Sequence, residues 1–354
     1  MRLPMKNGEV DYGHFSKMID RFIEDGFNYF DTAHGYLSGK SETSIRECLT
    51  KRYPRESYVL TNKLTENYFE SEADIRPFFE SQLTACGVDY FDFYLMHAQN
   101  ARNYKKYKAC SAYETALKLK NEGKVRHVGI SFHDKADVLD MILSEQPGIE
   151  VVQIQFNYFD YDDDGVQSRL CYEVCRKHGK PVIVMEPVKG GSLVNLPENA
   201  ENIFSQVGTG SPASFAIRFA ASFDGIMMVL SGMSNIDQMN DNLSFMKDFI
   251  PLSGAETEAV RKVGELFRAI KLVQCTSCRY CIEGCPKKIS IPDIFSCLNT
   301  YRRFKDKQLW RYRNIIKEHG KASDCIKCGK CEKICPQGLP IRELLSESAG
   351  VFDV

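Results

Sequence analysis

Between residues 27 and 232 the chain alternates short apolar runs with helical stretches, and this alternation limits its fold more than any other feature. The runs are 27–31 (FNYFD), 58–64 (YVLTNKL), 91–97 (FDFYLMH), 125–132 (VRHVGISF), 151–158 (VVQIQFNY), 181–188 (PVIVMEPV) and 226–232 (IMMVLSG). Each is followed by a stretch with helical character: 41–51, 72–86, 111–122, 135–144, 166–178, 212–222 and 236–246. Strands that are apolar throughout are buried on both faces, and regular strand–helix alternation gives a parallel sheet covered by helices. The expected fold class is therefore α/β, a (β/α)8 barrel, of which seven strands are legible and eight are needed. A helical stripe (Phe15, Met18, Ile19, Phe22, Ile23) precedes the first run with only MRLPM ahead of residues 6–13. The first barrel strand is thus expected to be short or missing at the N-terminus. The natural start would then lie upstream, or another segment would cover the two exposed sheet edges.

The chain has 354 residues, more than one core usually holds, and its pattern changes after about residue 250. Residues 1–252 are assigned to the barrel and 253–354 to a second, helical domain. The net charge of −1 gives no bulk attraction to nucleic acid or to a membrane surface. No run of eighteen apolar residues calls for a membrane span, and MRLPMKNGEV lacks the apolar stretch of a secretory signal. Eight of the 14 cysteines fall between 275 and 335 at fixed spacing, which points to metal ligation in a reducing cytoplasm and away from a disulfide framework.

Those eight form two copies of one motif. Cys275-x2-Cys278-x2-Cys281-x3-Cys285-Pro286 recurs as Cys325-x2-Cys328-x2-Cys331-x3-Cys335-Pro336. In this spacing three thiolates converge on one cubane and the fourth ligates the other cluster. Cys275, Cys278, Cys281 and Cys335 are assigned to one 4Fe–4S cluster, and Cys325, Cys328, Cys331 and Cys285 to the other. Zinc is the competing reading, but zinc sites favour two pairs of ligands. The region resembles a dicluster bacterial-type ferredoxin. Its long helical insert resembles the α-helical ferredoxin domains of respiratory reductases, which implies single-electron transfer. Lys287-Lys288, Arg302-Arg303 and the arginines at 311 and 313 make that insert basic, suited to an acidic ferredoxin or flavodoxin.

In the barrel, Asp31, Tyr36, Lys63 and His97 sit at or just after strand ends, where barrel enzymes place their chemistry. A tyrosine works as an acid near neutral pH if a cation lies beside it. Lys63 can be that cation, Asp31 can hold Lys63, and His97 can reach a substrate oxygen. The bland readings are a snorkelling Lys63 and a core His97; His127 reads as a core histidine. FDTAHGYLSGKSE (30–42), TNK (61–63) and YLMH (94–97) resemble the aldo-keto reductase family over residues 1–250. The resemblance implies that Tyr36 is the general acid, that Lys63 lowers its pKa, that Asp31 pairs with Lys63 and that His97 orients the carbonyl. It implies hydride from NADPH or NADH. Ser131 and Gln153 match the family's carboxamide contacts. Met185 stands where an aromatic stacks on the nicotinamide. Gly232, Met233, Ser234, Gln238, Asp241 and Asn242 match its adenosine-phosphate segment. Phe132 replaces the family's Asn, and no Lys or Arg lies within 231–242 to select NADPH over NADH.

The leading expectation is an oxidoreductase that reduces a small-molecule aldehyde or ketone and is coupled to two 4Fe–4S clusters. One alternative is a ferredoxin-linked reductase that uses a flavin or another acceptor in the barrel. The other is a redox-sensing or scaffold subunit without catalysis.

Overall fold

The computed structural model describes residues 2–273, 275, 279–335 and 337–353. Cys278 and Pro336, both in the cysteine motifs, lie outside the described residues. Two compact units are present: Met1–Val194 with Val207–Val260, and Asn195–Gln206 with Arg261–Val354.

The first unit opens with a small antiparallel hairpin, β1 (Met5–Lys6) and β2 (Glu9–Val10). The barrel strands follow as β3 (Tyr29–Asp31), β4 (Val59–Leu64), β5 (Phe91–Gln99), β6 (Val125–Phe132), β7 (Val151–Gln155), β8 (Val182–Met185) and β9 (Ile226–Val229). They form one parallel sheet in sequence order, each strand paired with the next. The expected α/β architecture is present, with seven strands in the described sheet and no strand described ahead of the hairpin.

The sheet is curled. Gln153 on β7 donates from Nε2 to Asp31 Oδ2 on β3 at 3.4 Å. Four strand spacings separate β3 from β7, roughly 19 Å in a flat sheet. The edges β3 and β9 are not paired with each other among the described residues, but the helices beside the gap meet. Met18 and Phe22 of helix Tyr12–Glu24 pack with Met239 and Leu243 of helix Ile236–Met246. Lys247 pairs with Asp25 at 2.8 Å across the same seam. Ahead of the hairpin, Leu3 is buried, and the Arg2 side chain runs alongside Gly232, past the end of β9.

Alternation along each strand sends every second side chain inward. Tyr29, Leu95, Val151 and Ile183 form an apolar floor with Val59, Phe93, Met228 and Leu230. Gly129 belongs to the same level. A Cβ there would stand 2.5 Å from Val151 Cγ1 and 2.7 Å from Leu95 Cδ2, so glycine is what allows β5 and β7 side chains to meet. Two residues beyond Tyr29, Leu95, Gly129 and Val151 stand Asp31, His97, Ser131 and Gln153, part of the polar layer described below.

The second unit is helical, with Tyr280–Glu283, Ile291–Phe304, Leu309–Ile315, Lys330–Ile334 and Ile341–Phe352. Its core includes Ile291, Ile294, Phe295, Leu298, Tyr312, Ile341 and Leu345. Tyr312 ties the ends of this unit together: its OH donates to Asp353 Oδ1 at 2.8 Å, accepts from Ala322 N at 2.9 Å, and its ring stacks on Phe352. No helix is long and apolar enough to cross a membrane among the described residues.

Gly129→Ala should destabilise the first unit by about 1–3 kcal/mol, the usual cost of overpacking a filled core. Urea unfolding followed by circular dichroism checks this, and an unchanged midpoint would mean that the floor can yield.

Candidate active site and cluster sites

The polar layer above the apolar floor brings the predicted residues together. Lys63 is fully buried, and its Nζ donates to Asp31 Oδ1 at 2.6 Å and to the Thr32 carbonyl at 2.8 Å. The Tyr36 ring centroid lies 5.0 Å from that ammonium. The Tyr36 ring also meets the His97 ring edge to face at 5.9 Å. Asp31, Tyr36, Lys63 and His97 therefore surround one point at the C-terminal end of β3, β4 and β5.

Their protonation follows from burial and from the one cation. Burial opposes the charge on Lys63, but Asp31 and then Tyr36 outweigh it and hold the ammonium above the usual lysine range. Burial raises the Tyr36 phenol, and Lys63 pulls it only part of the way back, so the net shift is upward. The expected lowering by Lys63 is thus present and outweighed, and Tyr36 carries its proton at neutral pH. Burial, then Lys63, then His133 push His97 down to about 3, so its imidazole is neutral. The Nδ1 of His97 is hydrogen-bonded to Thr65 Oγ1 at 2.7 Å, which leaves Nε2 for a ligand.

The loop that carries Tyr36 is held from behind by groups that sequence reading missed. Glu42, the last residue of the FDTAHGYLSGKSE stretch, has no exposed surface. Its Oε2 meets His34 Nδ1 at 2.7 Å, and its Oε1 accepts from Asn62 at 2.8 Å and Gln82 at 3.2 Å. Gln82 in turn donates to the Lys63 carbonyl at 3.1 Å and accepts from Tyr94 at 2.7 Å. One carboxylate thus links the Tyr36 loop to the strands of Lys63 and His97. The available signal was Asn62: it sits at an outward position of an apolar strand and needs a partner there.

Ser131 and Gln153 are cross-strand neighbours, both buried, beside the tetrad. Ser131 Oγ accepts from Ala98 N at 2.8 Å, so its hydroxyl proton is free to turn toward a ligand. These two residues fit a carboxamide. Met185 ends β8, followed by Glu186 in the left-handed region at φ 56°. The segment 231–242 is tied to itself. Gln238 accepts from Ser234 N at 2.8 Å, Asn242 donates to Ser231 at 2.9 Å, and Asp241 accepts from Ser211 at 2.6 Å. Asn235 caps the helix by accepting from Gln238 N at 2.9 Å. Gly232 has Arg2 alongside it, and Met233 packs against the helix seam.

In the second unit the cysteines border two hollows. Cys285, Cys325, Cys328 and Cys331 line one, and Cys275, Cys281 and Cys335 line the other. Each hollow draws thiols from both motifs, and Cys278 lies outside the described residues. Among the described residues no three His, Cys, Asp or Glu side chains converge tightly enough to hold a metal ion. Thiolates drawn from both motifs around each hollow are the donor set that iron–sulfur clusters take, so the residues present fit them.

Residues 1–265 match the aldo/keto reductase family, and residues 274–339 match the 4Fe-4S dicluster domain. The chain belongs to the aldo/keto reductase family, as an oxidoreductase of that type with a 4Fe–4S dicluster domain behind the reductase portion. The NADH-specific methylglyoxal reductase of Escherichia coli is 24% identical over 309 residues, covering 74% of this chain and 91% of that protein. An aldo-keto reductase of Mycolicibacterium smegmatis is 26% identical over 242 residues, covering 66% and 82%. Among solved structures, an aldo-keto reductase from Klebsiella pneumoniae in complex with NADPH superposes with a TM-score of 0.60 at 19% identity, covering 74% of this chain and 89% of that one. The holo form of a Bacillus halodurans aldo-keto reductase gives 0.59 at 23% identity, covering 74% and 91%. At these identities the structural likeness establishes the fold alone.

Glu42→Gln should cost about 1–3 kcal/mol of stability, because the new amide turns a donor toward Asn62 or Gln82, or toward His34, and leaves buried groups unpaired. A urea midpoint equal to wild type would show that the carboxylate is not the acceptor holding this loop.

Proposed function

We propose that the barrel reduces an aldehyde or ketone with hydride from NADPH or NADH, and that two 4Fe–4S clusters couple this chemistry to a one-electron carrier such as a ferredoxin or flavodoxin. The observation that carries the reading is Lys63: a fully buried ammonium paired to Asp31 at 2.6 Å beneath the Tyr36 ring, with neutral His97 beside it.

The residues have separable roles. Tyr36, protonated at neutral pH, gives its proton to the carbonyl oxygen as the carbon accepts hydride, and regains one from water afterwards. Lys63 stabilises the phenolate left behind, and Asp31 with the Thr32 carbonyl fixes the ammonium in place. His97 with its proton on Nε2, its Nδ1 then accepting from Thr65 Oγ1, holds the substrate oxygen in this scheme. A nicotinamide dinucleotide, with its carboxamide at Ser131 and Gln153, would supply the hydride. At its other end Gly232, Met233, Ser234, Gln238, Asp241 and Asn242 would meet the adenosine phosphates. One relative is named a methylglyoxal reductase, which supports a small carbonyl compound as substrate class.

A second reading, with a flavin or another acceptor in the barrel, draws support from Met185 in place of an aromatic face and from the internally paired 231–242 segment. The division into a barrel at 1–252 and a dicluster domain at 253–354, and a reducing cytoplasm as the location, belong to the same proposal. The crossed ligand sets, Cys275, Cys278, Cys281 and Cys335 against Cys325, Cys328, Cys331 and Cys285, are supported by the lining of the two hollows for every member but Cys278, which lies outside the described residues.

Tyr36→Phe should lower kcat for any active carbonyl substrate by about 10²-fold or more while nicotinamide binding stays close to wild type. Retained turnover would overturn the assignment of Tyr36 as acid. Anaerobically purified protein should contain about eight iron and eight acid-labile sulfide per chain. Zinc in their place, or half that iron content after full reconstitution, would refute two clusters.

A further inference from the structure

The two cysteine-lined hollows differ in their surroundings. The one bordered by Cys275, Cys281 and Cys335 is otherwise lined mainly by Ile291, Pro292, Phe295, Leu339 and Ile341. Its one cation, Arg279, is engaged with Asp293 at 3.0 Å. The hollow bordered by Cys285, Cys325, Cys328 and Cys331 includes Lys287 and Lys330 in its lining, and Cys328 is exposed. Lys327 and Lys333 are also exposed, each beside an exposed isoleucine: Ile326 at 58% and Ile334 at 52%. None of these four lysines makes an ion pair among the described residues.

The arginines that sequence reading grouped with this basic region are partly occupied. Arg302 is bound to Glu347 and to the Lys271 carbonyl, and Arg311 donates to Ser296 at 2.9 Å. Arg342, at the rim of the second hollow, is paired with Glu332 at 2.8 Å. Four lysines without an ion pair among the described residues, Lys287, Lys327, Lys330 and Lys333, therefore lie in or beside the segments that line one cluster site, together with apolar side chains that a monomer gains nothing by exposing. Ile291 lines both hollows, so the two sites are neighbours.

We propose that the face formed by Lys287, Ile326, Lys327, Lys330, Lys333 and Ile334 docks a small acidic one-electron carrier protein, and that the site of Cys285, Cys325, Cys328 and Cys331 is where electrons cross. This rests on the electron-coupling reading above. In each encounter the carrier is oxidised by one electron and the adjacent cluster is reduced by one, with no bond made or broken. The lysines draw in carboxylates and raise the encounter rate, and Ile326 and Ile334 supply the desolvated centre of the contact.

The test uses full-length protein with both clusters reconstituted and chemically reduced flavodoxin hydroquinone as the probe. Cluster reduction is followed by anaerobic stopped-flow, and binding by carbodiimide cross-linking of lysine to carboxylate. Wild type should cross-link to flavodoxin and slow steeply as salt rises. Lys327→Glu/Lys330→Glu/Lys333→Glu should react about tenfold more slowly at low salt, cross-link weakly and lose the salt dependence, with cluster spectra and reduction by dithionite unchanged. Ile326→Ala/Ile334→Ala should weaken binding without altering the salt slope. Equal rates and equal salt dependence for wild type and the lysine variant would overturn this face as the docking site while leaving the relay intact. Cross-linking mainly to a second copy of this chain would overturn the choice of partner. Failure of dithionite-reduced clusters to reoxidise with any nicotinamide or carbonyl acceptor would instead sink the electron-coupling reading.

Discussion

One buried ammonium organises the barrel. An unpaired lysine at the Lys63 position would be strongly disfavoured, since removing a charge from water costs several kcal/mol. The surroundings answer that cost with an anion, a carbonyl and an aromatic face, drawn from β3 and from the loop after it. Supplying them requires Asp31 to point inward at the last residue of its strand. It also requires the loop beyond Thr32 to fold back over the strand end. The left-handed Leu37 and Ser38, followed by Gly39, make that return, and Glu42 braces it from outside the barrel. The curl of the sheet completes the arrangement by bringing Gln153 to the second oxygen of Asp31.

The second unit is held differently. Its helices are short, from four residues at Tyr280–Glu283 to fourteen at Ile291–Phe304, and helices of this size are marginal alone. Two things compensate: a compact apolar core around Phe295 and Tyr312, and thiols that reach across from both motifs. Because Cys285 and Cys335 each border the other motif's hollow, filling either site clips together segments about forty residues apart in sequence.

Much of this was legible in sequence for local reasons. The strands read as apolar runs, and the tetrad as polar residues interrupting those runs near their ends. The cysteine spacing is set within twelve residues and carries its own geometry. What was not legible depends on distant partners. Glu42 gains its meaning from Asn62, 20 residues on, and Gln82, 40 residues on. The occupied state of Arg302 depends on Glu347, 45 residues away, so counting basic residues overstated the surface charge of the insert. The hairpin at Met5–Val10 and the helix Asn103–Ala109 carry no clean period and were passed over. The short helix Glu198–Ser205 groups by contact with the second unit.

The tetrad also shows why one cation suffices for two hydrogen-bond donors. Burial disfavours charge on both Tyr36 and His97, so both remain neutral donors at working pH. A second positive charge on His97 would repel Lys63 and weaken the hold of Asp31 on it. A neutral imidazole avoids that, and Thr65 partners its Nδ1 so that Nε2 is left toward the site. Under the proposed chemistry, the full positive charge that faces a carbonyl oxygen gaining negative charge is Lys63, beneath the Tyr36 ring. The Lys63 charge is constant, and what grows is its attraction for the negative charge that would build on the phenolate as the proton leaves Tyr36. Stabilisation that grows along a reaction coordinate lowers its barrier without tightening the ground state.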